Sequence, residues 1–149
     1  MFARWHAPIP AVIAATETST ILRNDILDRD PAPWWGKGRV TLLGDAAHPM
    51  APNLGQGACQ AIEDALVLAR SIANGDGEAS LRRYEADRIP RTTSIVTASR
   101  RIGHWLQVGT PAFCRARNLA LRLMPPAMSY RSLATVIGYD EHLGEGSGR

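Results

Sequence analysis

The residues best suited to chemistry lie between positions 38 and 57 of this 149-residue chain. Asp45 follows Gly44 at the end of a short apolar run, and a glycine-spaced turn at residues 55–57 then opens a helical pattern. Open α/β sheets bind ligands at the carboxyl ends of their strands, and a short ionised carboxylate accepts hydrogen bonds from sugar hydroxyls. The spacing therefore predicts a nucleotide-cofactor site in which Asp45 is the ribose contact.

The two glycines of this turn, Gly55 and Gly57, are suited to contact a second part of the ligand. Without Cβ atoms they let the backbone amides of the helix start approach a flat molecule closely. These amides have no partner inside the helix, and a helix start favours negative charge by about 0.3 to 1 kcal/mol. Taken alone, Asp45 could cap a turn and the glycines could form a plain loop. The prediction depends on finding both together.

Several elements are needed to position these residues. The sequence predicts a buried strand at residues 39–43 and a brief helix at residues 8–15. It predicts a partly exposed strand or extended crossover at residues 21–28. Further helical patterns cover residues 57–73, 78–106, 112–123 and 130–137. Pro90 is expected to kink or break the second of these. The buried face of the first is predicted to comprise Ala58, Ala61, Ile62, Ala65, Leu66, Ala69 and Ile72.

Bulk properties are those of an ordinary globular protein, with 45% hydrophobic and 21% charged residues. The net charge of +3 is not gathered into a basic run, which argues against a nucleic-acid partner. No apolar run reaches the ~18 residues of a membrane span, and no signal-peptide pattern is present. The two cysteines and four histidines lack the spacing of a disulfide framework or zinc site. We therefore expect a cytoplasmic protein without a metal or a membrane partner.

Other polar and aromatic residues receive structural interpretations. His48 is expected to be a hydrogen-bonding loop residue rather than a base, and Cys59 a packing residue, so no catalytic side chain is assigned. Trp34, Trp35, Tyr84 and Trp105 are expected to pack against neighbouring elements. A solvated helix face, with a partner surface as the alternative, is predicted for Arg82, Arg83, Arg88, Arg91, Arg100 and Arg101.

Three segments carry a resemblance to a known family: Gly-Asp-Ala-Ala-His at 44–48, Pro-Asn-Leu-Gly-Gln-Gly at 52–57 and Ala-Ile-Glu-Asp-Ala at 61–65. Together they resemble the second FAD motif, the flavin loop and the following helix of flavin-dependent aromatic-ring monooxygenases. This is the para-hydroxybenzoate hydroxylase-like group, which includes salicylate and urate hydroxylases. The resemblance implies that Asp45 binds the FAD ribose, that amides from Gly55 to Cys59 face the pyrimidine edge of the flavin, and that Pro52 lines the oxygen site. The implied FAD-binding residues are Gly44, Asp45, Pro52, Leu54, Gly55, Gln56, Gly57, Ala58 and Cys59.

In that family NADH or NADPH reduces FAD, and the reduced flavin uses O2 to hydroxylate a small aromatic or similarly electron-rich substrate. The chain departs from the family by lacking the Gly-x-Gly-x-x-Gly diphosphate motif, a middle Asp-Gly motif and most of a substrate-binding sheet. It therefore resembles the C-terminal third of such an enzyme and is expected to be inactive alone. A complementary N-terminal chain or a homo-oligomer would be its protein partner.

The expected fold class is α/β: part of a three-layer FAD-binding domain, with one or two strands followed by three or more helices. Residues 1–33 are expected to form the end of the substrate domain and a crossover, residues 34–140 the C-terminal part of the FAD-binding domain, and residues 141–149 a disordered tail. Two other hypotheses stay open. One is a non-catalytic interaction module or truncated remnant that docks to another chain, and the less favoured one is a small basic nucleic-acid binder.

Overall fold

The computed structural model describes residues 2, 4–73, 75 and 77–138, so the predicted tail at 141–149 lies outside the described residues. Within the described residues the α-helices are α1 (Ile9–Ala15), α2 (Gly57–Ala73), α3 (Gly77–Gln107), α4 (Pro111–Leu123) and α5 (Pro126–Ile137). Single 3₁₀ turns occur at Thr18–Thr20, Gly44–Ala46 and Pro52–Leu54. We call the second the Asp45 turn and the third the Asn53 turn. No helix in the described part of the chain is long and apolar enough to cross a membrane.

The helices follow the predicted periodicity, and prolines mark several of their starts. Pro111 and Pro126 are the first residues of α4 and α5, where the missing N–H of proline costs no helical hydrogen bond. Pro90 does not break α3, a helix of 31 residues in total that contains it. Contacts on both sides of Pro90 account for this, because Arg88 is bonded to α2 and Ser99 to the loop before the Asn53 turn.

The predicted strand at residues 39–43 is not found. In the described residues the isolated bridge is an antiparallel one between Lys37 and Val40. Leu43 keeps an extended backbone, with φ −142° and ψ 146°, but is 37% exposed. A strand exists only through hydrogen bonds to a neighbouring strand, and the described residues supply none. The strand part of the α/β prediction is therefore not confirmed, and the segment at 21–28 is exposed and irregular.

A small core joins α2, α3 and the segment before the Asp45 turn. Its buried members are Trp35, Ala47, Val67 and Tyr84, with Ala32, Leu68 and Ile89 packed against them. The rings of Trp35 and Tyr84 lie 5.6 Å apart between centroids. The packing prediction is thus confirmed for these two aromatics and wrong for Trp34, which is 70% exposed.

The face that α2 buries is the opposite of the predicted one. Gln60, Asp64 and Val67 are buried, while Ile62 is 71% and Ile72 53% exposed. The reason is a set of charged partners on α3, which draws the polar side of α2 inward. We call the exposed side, with Ala58, Ile62, Ala65, Leu66, Ala69 and Ile72, the apolar face of α2.

Candidate functional site

The Asp45 turn packs closely against α2. Gly44 is buried and has φ +60°, and a Cβ built on it would lie 3.2 Å from the Cβ of Ala61. Both the left-handed backbone and the close approach require glycine here. The next residue, Asp45, is exposed, and a Cβ built on Gly57 would lie 3.9 Å from its Oδ1 atom. The structure therefore places the Asp45 carboxylate beside the start of α2.

The start of α2 presents backbone donors that have no partner inside the helix. The amide of Gln60 is bonded to the carbonyl of Gln56 at 2.9 Å. The amides of residues 57–59 precede it and have no carbonyl partner within the helix. Gly55, with φ +63°, ends the Asn53 turn and lets the chain reverse into α2. These donors and the exposed Asp45 carboxylate thus lie next to each other.

The nine predicted site residues differ in exposure. Those exposed are Asp45, Pro52, Gly55, Ala58 and Cys59; Leu54 and Gly57 are partly buried, and Gly44 and Gln56 are buried. The exposure of Cys59 contradicts the prediction that it is a packing residue. The helix face that carries Gln60 and Asp64 is the one that packs on α3, and Cys59 lies off that face.

Asp64, on α2, holds the Asp45 turn through hydrogen bonds. Its Oδ2 atom accepts hydrogen bonds from the amide of Gly44 at 3.0 Å and from Nε2 of His48 at 2.6 Å. Its Oδ1 atom accepts one from Nε of Arg88 at 2.7 Å. Burial by itself would raise the pKa of Asp64, but the bonds from His48, Arg88 and Gly44 outweigh it and hold the pKa below the ordinary value. A buried, ionised carboxylate therefore anchors the turn.

Arg88 is the cation of this network and is only 1% exposed. Besides Asp64, its guanidinium donates to Oε2 of Glu63 at 2.7 Å and to Oε1 of Gln60 at 2.8 Å. Arg91 donates to both carboxylate oxygens of Glu63. Burial would raise the pKa of Glu63, and the bonds from Arg91 and Arg88 lower it below its ordinary value. The predicted solvated face of arginines is therefore wrong at Arg88.

His48 is a hydrogen-bonding loop residue, as predicted. Its ring is 3% exposed and lies 5.5 Å from that of Trp35 between centroids. An ionised Asp64 can only accept, so the Nε2 of His48 donates. Its Nδ1 is buried and has no hydrogen-bond partner among the described residues.

Residues of α3 also fix the chain before the Asp45 turn. The hydroxyl of Tyr84 donates to the carbonyl of Leu42 at 3.2 Å, and Thr41 donates to Glu85 at 2.5 Å. Burial raises the pKa of Tyr84 far above its ordinary value, so its hydroxyl keeps the proton that it donates. These contacts hold the extended segment at a fixed distance from α3.

The chain after the turn is held in the same way. The hydroxyl of Ser99 donates to the carbonyl of Ala51 at 2.6 Å, and Nδ2 of Asn53 donates to the carbonyl of Ser99 at 3.0 Å. Arg29 adds a bond from outside α3, donating to the carbonyl of Ala47 at 2.7 Å. The whole loop from 41 to 53 is therefore positioned by side chains whose roles the sequence analysis did not identify.

A weak signal for these residues is present in the sequence. Gln60, Glu63, Asp64 and Val67 follow one another at helical spacing, so three polar residues share one side of α2. Two arginines three residues apart, Arg88 and Arg91, lie on the next helix. A polar stripe facing a pair of arginines indicates a buried ion network, which apolar periodicity does not detect.

Comparison with known proteins gives the family context. Residues 14–99 match the family described as FAD binding domain. Over 124 residues the chain is 49% identical to the aurachin C monooxygenase/isomerase of Stigmatella aurantiaca, covering 83% of this chain and 32% of that protein. Over 117 residues it is 40% identical to the 3-hydroxybenzoate 6-hydroxylase of Klebsiella oxytoca, covering 76% and 29%. The chain thus spans about a third of the length of these relatives.

Solved structures agree. Klebsiella pneumoniae HpxO complexed with FAD and uric acid matches with a TM-score of 0.81 and 34% identity, over 91% of this chain and 35% of that one. A salicylate hydroxylase substrate complex matches with a TM-score of 0.57 and 34% identity, over 74% and 27%. The described part therefore has the fold of the matching part of an FAD-binding domain, and the predicted resemblance to flavin-dependent aromatic monooxygenases is confirmed.

Proposed function

The chain belongs to the FAD-binding domain family, and on that premise we propose that residues 44–59 bind the ribose and flavin of FAD in a monooxygenase. The proposed reaction is hydroxylation of an aromatic or similarly electron-rich substrate. The observation that carries this proposal is the placement of an exposed carboxylate, Asp45, next to the start of α2, whose first amides have no partner inside the helix.

The donor and acceptor groups present fit the two halves of the proposed contact. The Asp45 carboxylate accepts from the ribose hydroxyls, and hydrogen bonds to a charged acceptor are stronger than neutral ones. The amides of residues 57–59 would face the pyrimidine edge of a bound flavin, where a helix start favours the negative charge that collects on reduction. Gly55 and Gly57 keep side chains out of the space that a flat ring needs.

The remaining proposed residues shape the surroundings of the ring. Pro52 and Leu54 lie in the Asn53 turn. The family resemblance implies that Pro52 would line the position at which oxygen reacts and that Leu54 would be part of the cofactor site. Gln56 is buried, and its carbonyl accepts the hydrogen bond from the amide of Gln60 that closes the first turn of α2. Bound FAD would supply the electron transfer and oxygen chemistry, while these residues orient and shield it.

Other parts of the proposal rest on the family resemblance. Reduction by NADH or NADPH, a cytoplasmic location and a small aromatic substrate belong to the whole enzyme. We expect no hydroxylation by these 149 residues alone, because they contain no Gly-x-Gly-x-x-Gly motif for the FAD diphosphate. Assay of NADH or NADPH oxidation with an aromatic substrate tests this part.

The binding proposal is tested by titrating the purified chain with FAD and following the quenching of flavin fluorescence. We expect saturable binding that weakens in Asp45→Ala by about tenfold to a hundredfold, as loss of a charge-assisted bond worth about 1.5 to 3 kcal/mol requires. The matched control is Asp87→Ala, which removes another exposed aspartate, on α3. Equal Kd values for the two variants would contradict the ribose contact, and absence of saturation in the wild-type chain would contradict autonomous binding.

The apolar face of α2 favours a second role. Ile62, Leu66 and Ile72 are 71%, 40% and 53% exposed on one side of a helix, although apolar patches of this kind usually meet a partner. We propose that this face packs against the remaining part of an FAD-binding domain, supplied by the same or by a complementary chain. Co-purification of this chain with a tagged N-terminal part of such an enzyme, and its loss in Ile62→Glu, tests the docking.

A further inference from the structure

We infer that Asp64 is a positioning residue for the proposed flavin site: its carboxylate fixes the Asp45 turn so that Asp45 stands beside the start of α2. The ligand in this inference rests on the proposed function. The geometry rests on contacts of Asp64 with Gly44 and His48.

The contacts of Asp64 bracket Asp45 on both sides. The Oδ2 atom binds the amide of Gly44, the residue before Asp45, and the ring of His48, three residues after it. The carbonyl of Gly44 accepts from the amides of Ala47 and His48, both at 2.9 Å. The backbone of Gly44 and the side chain of His48 are therefore bonded toward the interior. The Asp45 side chain is exposed to solvent.

The same helix holds both halves of the proposed site. Asp64 lies seven residues beyond Gly57, about two helical turns along α2. The free amides come from the first turn of α2, and the carboxylate that holds the Asp45 turn comes from its third. Because a helix is rigid over this length, α2 sets the separation between the ribose acceptor and the ring-facing donors.

A purely structural ion pair would have different contacts. Glu63 is the neighbouring carboxylate, shares Arg88 with Asp64 and is also bonded to Arg91. Among the described residues its hydrogen-bond partners are Arg88, Arg91 and Gln60, and none belongs to the Asp45 turn. Glu63 is therefore a matched control, since its loss removes the same charge from the same network without touching the turn.

The test compares Asp64→Asn with Glu63→Gln in the full chain without ligand. Amide hydrogen exchange measured by NMR reports the Gly44 amide directly, with the Val67 amide of α2 as the internal reference. In Asp64→Asn we expect Gly44 to exchange at least about tenfold faster relative to Val67, and in Glu63→Gln we expect a ratio within about twofold of wild type. An unchanged Gly44 ratio in Asp64→Asn would overturn the inference.

A double-mutant cycle on the Kd for FAD then separates positioning from general destabilisation. If Asp64 acts through Asp45, Asp64→Asn weakens FAD binding by about tenfold in the wild-type background and by less than about twofold in the Asp45→Ala background. Independent, additive effects would overturn the inference. If the wild-type chain binds no FAD while the Gly44 ratio changes as expected, the proposed ligand fails and the positioning of the turn stands.

Should Asp64→Asn fail to fold, the wild-type chain carries the test. The groups that face Asp64 are His48 from the loop and Arg88 and Tyr84 from α3. On acidification, the Gly44 amide resonance should shift with the same midpoint as the Asp64 carboxyl carbon. A Gly44 resonance that does not follow Asp64 would overturn the inference.

Discussion

The Nε atom of Arg88 lies 2.7 Å from Oδ1 of Asp64, with side chains only 1% and 0% exposed. Removing two charges from water is costly, and their attraction compensates only when the remaining polar atoms are also bonded. Here both oxygens of Asp64 are bonded, and Arg88 also donates to Glu63 and Gln60. The pair therefore joins α2, α3 and the Asp45 turn into one unit.

Loss of one partner of this pair should strongly lower the free energy of unfolding. Arg88→Met removes the cation and leaves the Asp64 carboxylate buried, so we expect the free energy of unfolding to fall by about 3 to 5 kcal/mol. Urea denaturation followed by circular dichroism measures the change. Arg83→Met, at an exposed position on the same helix, should cost no more than about 0.5 kcal/mol. Comparable losses of unfolding free energy in both variants would show that the buried network adds no more to stability than an exposed arginine does.

The two lowered carboxyl pKa values predict loss of stability in acid. Asp64 and Glu63 titrate below their ordinary values of 3.8 and 4.5 in the folded chain, so below about pH 4.5 the unfolded chain binds more protons. The stability that they contribute is complete above that pH and is lost as the pH falls through the folded pKa values. Urea midpoints between pH 7 and pH 3 should therefore decline on the acid side.

The acid dependence has its own control. In Glu63→Gln one of the two groups no longer titrates, so the decline in the urea midpoint should be shallower than in the wild-type chain. A wild-type midpoint that stays level or rises on acidification to pH 3 would contradict the assignment of lowered pKa values to Asp64 and Glu63.

The sequence predicts the helices and the segment that carries the candidate site because both depend on local patterns. Helical spacing indicates α2, α3 and α4, and the pairing of Asp45 with the glycines before α2 comes from a compact motif. What it cannot indicate is which face of α2 meets α3. An apolar stripe normally faces the core, but here that stripe is exposed, and the polar stripe with Asp64 makes the internal contact.

The strand prediction was not confirmed and the solvated position predicted for Arg88 was wrong, for related reasons. Residues 39–43 have the composition of a buried strand, yet a strand requires a neighbour that the described residues do not contain. Arg88 belongs to an arginine-rich helix and looks solvated in sequence, because its partners Asp64 and Glu63 are more than twenty residues away. Long-range pairing of charges is the information that a local pattern lacks.

A side chain at Gly44 should destabilise the chain. Alanine at this position must adopt φ +60° and place its Cβ 3.2 Å from that of Ala61, so we expect Gly44→Ala to destabilise the chain by about 1 to 2 kcal/mol from the backbone term alone. The control is Gly109→Ala, where a Cβ meets nothing within 4 Å and φ is not positive. Thermal unfolding should show a lower midpoint for the first variant and an unchanged or slightly higher one for the second. The reverse order would contradict the described turn.

Ser99 should matter through its hydroxyl. It is fully buried and donates to the carbonyl of Ala51 at 2.6 Å, so Ser99→Ala should cost about 1 kcal/mol in the free energy of unfolding. Ser94 makes a bond of similar length, 2.7 Å, but within its own helix and exposed to water. Ser94→Ala should therefore change stability by less than about 0.5 kcal/mol. Equal costs in urea denaturation would mean that the loop is not held by Ser99.

The apolar face of α2 should dominate the solution behaviour of the chain by itself. Ile62 and Leu123 are both 71% exposed, but only Ile62 belongs to that face. If a contiguous patch drives association, Ile62→Glu should shift the chain toward monomer in size-exclusion chromatography with light scattering, while Leu123→Glu should leave the mass distribution nearly unchanged. The same order is expected for binding of a dye that fluoresces on apolar surfaces. Equal effects of the two substitutions would show that general hydrophobicity, rather than this face, controls association.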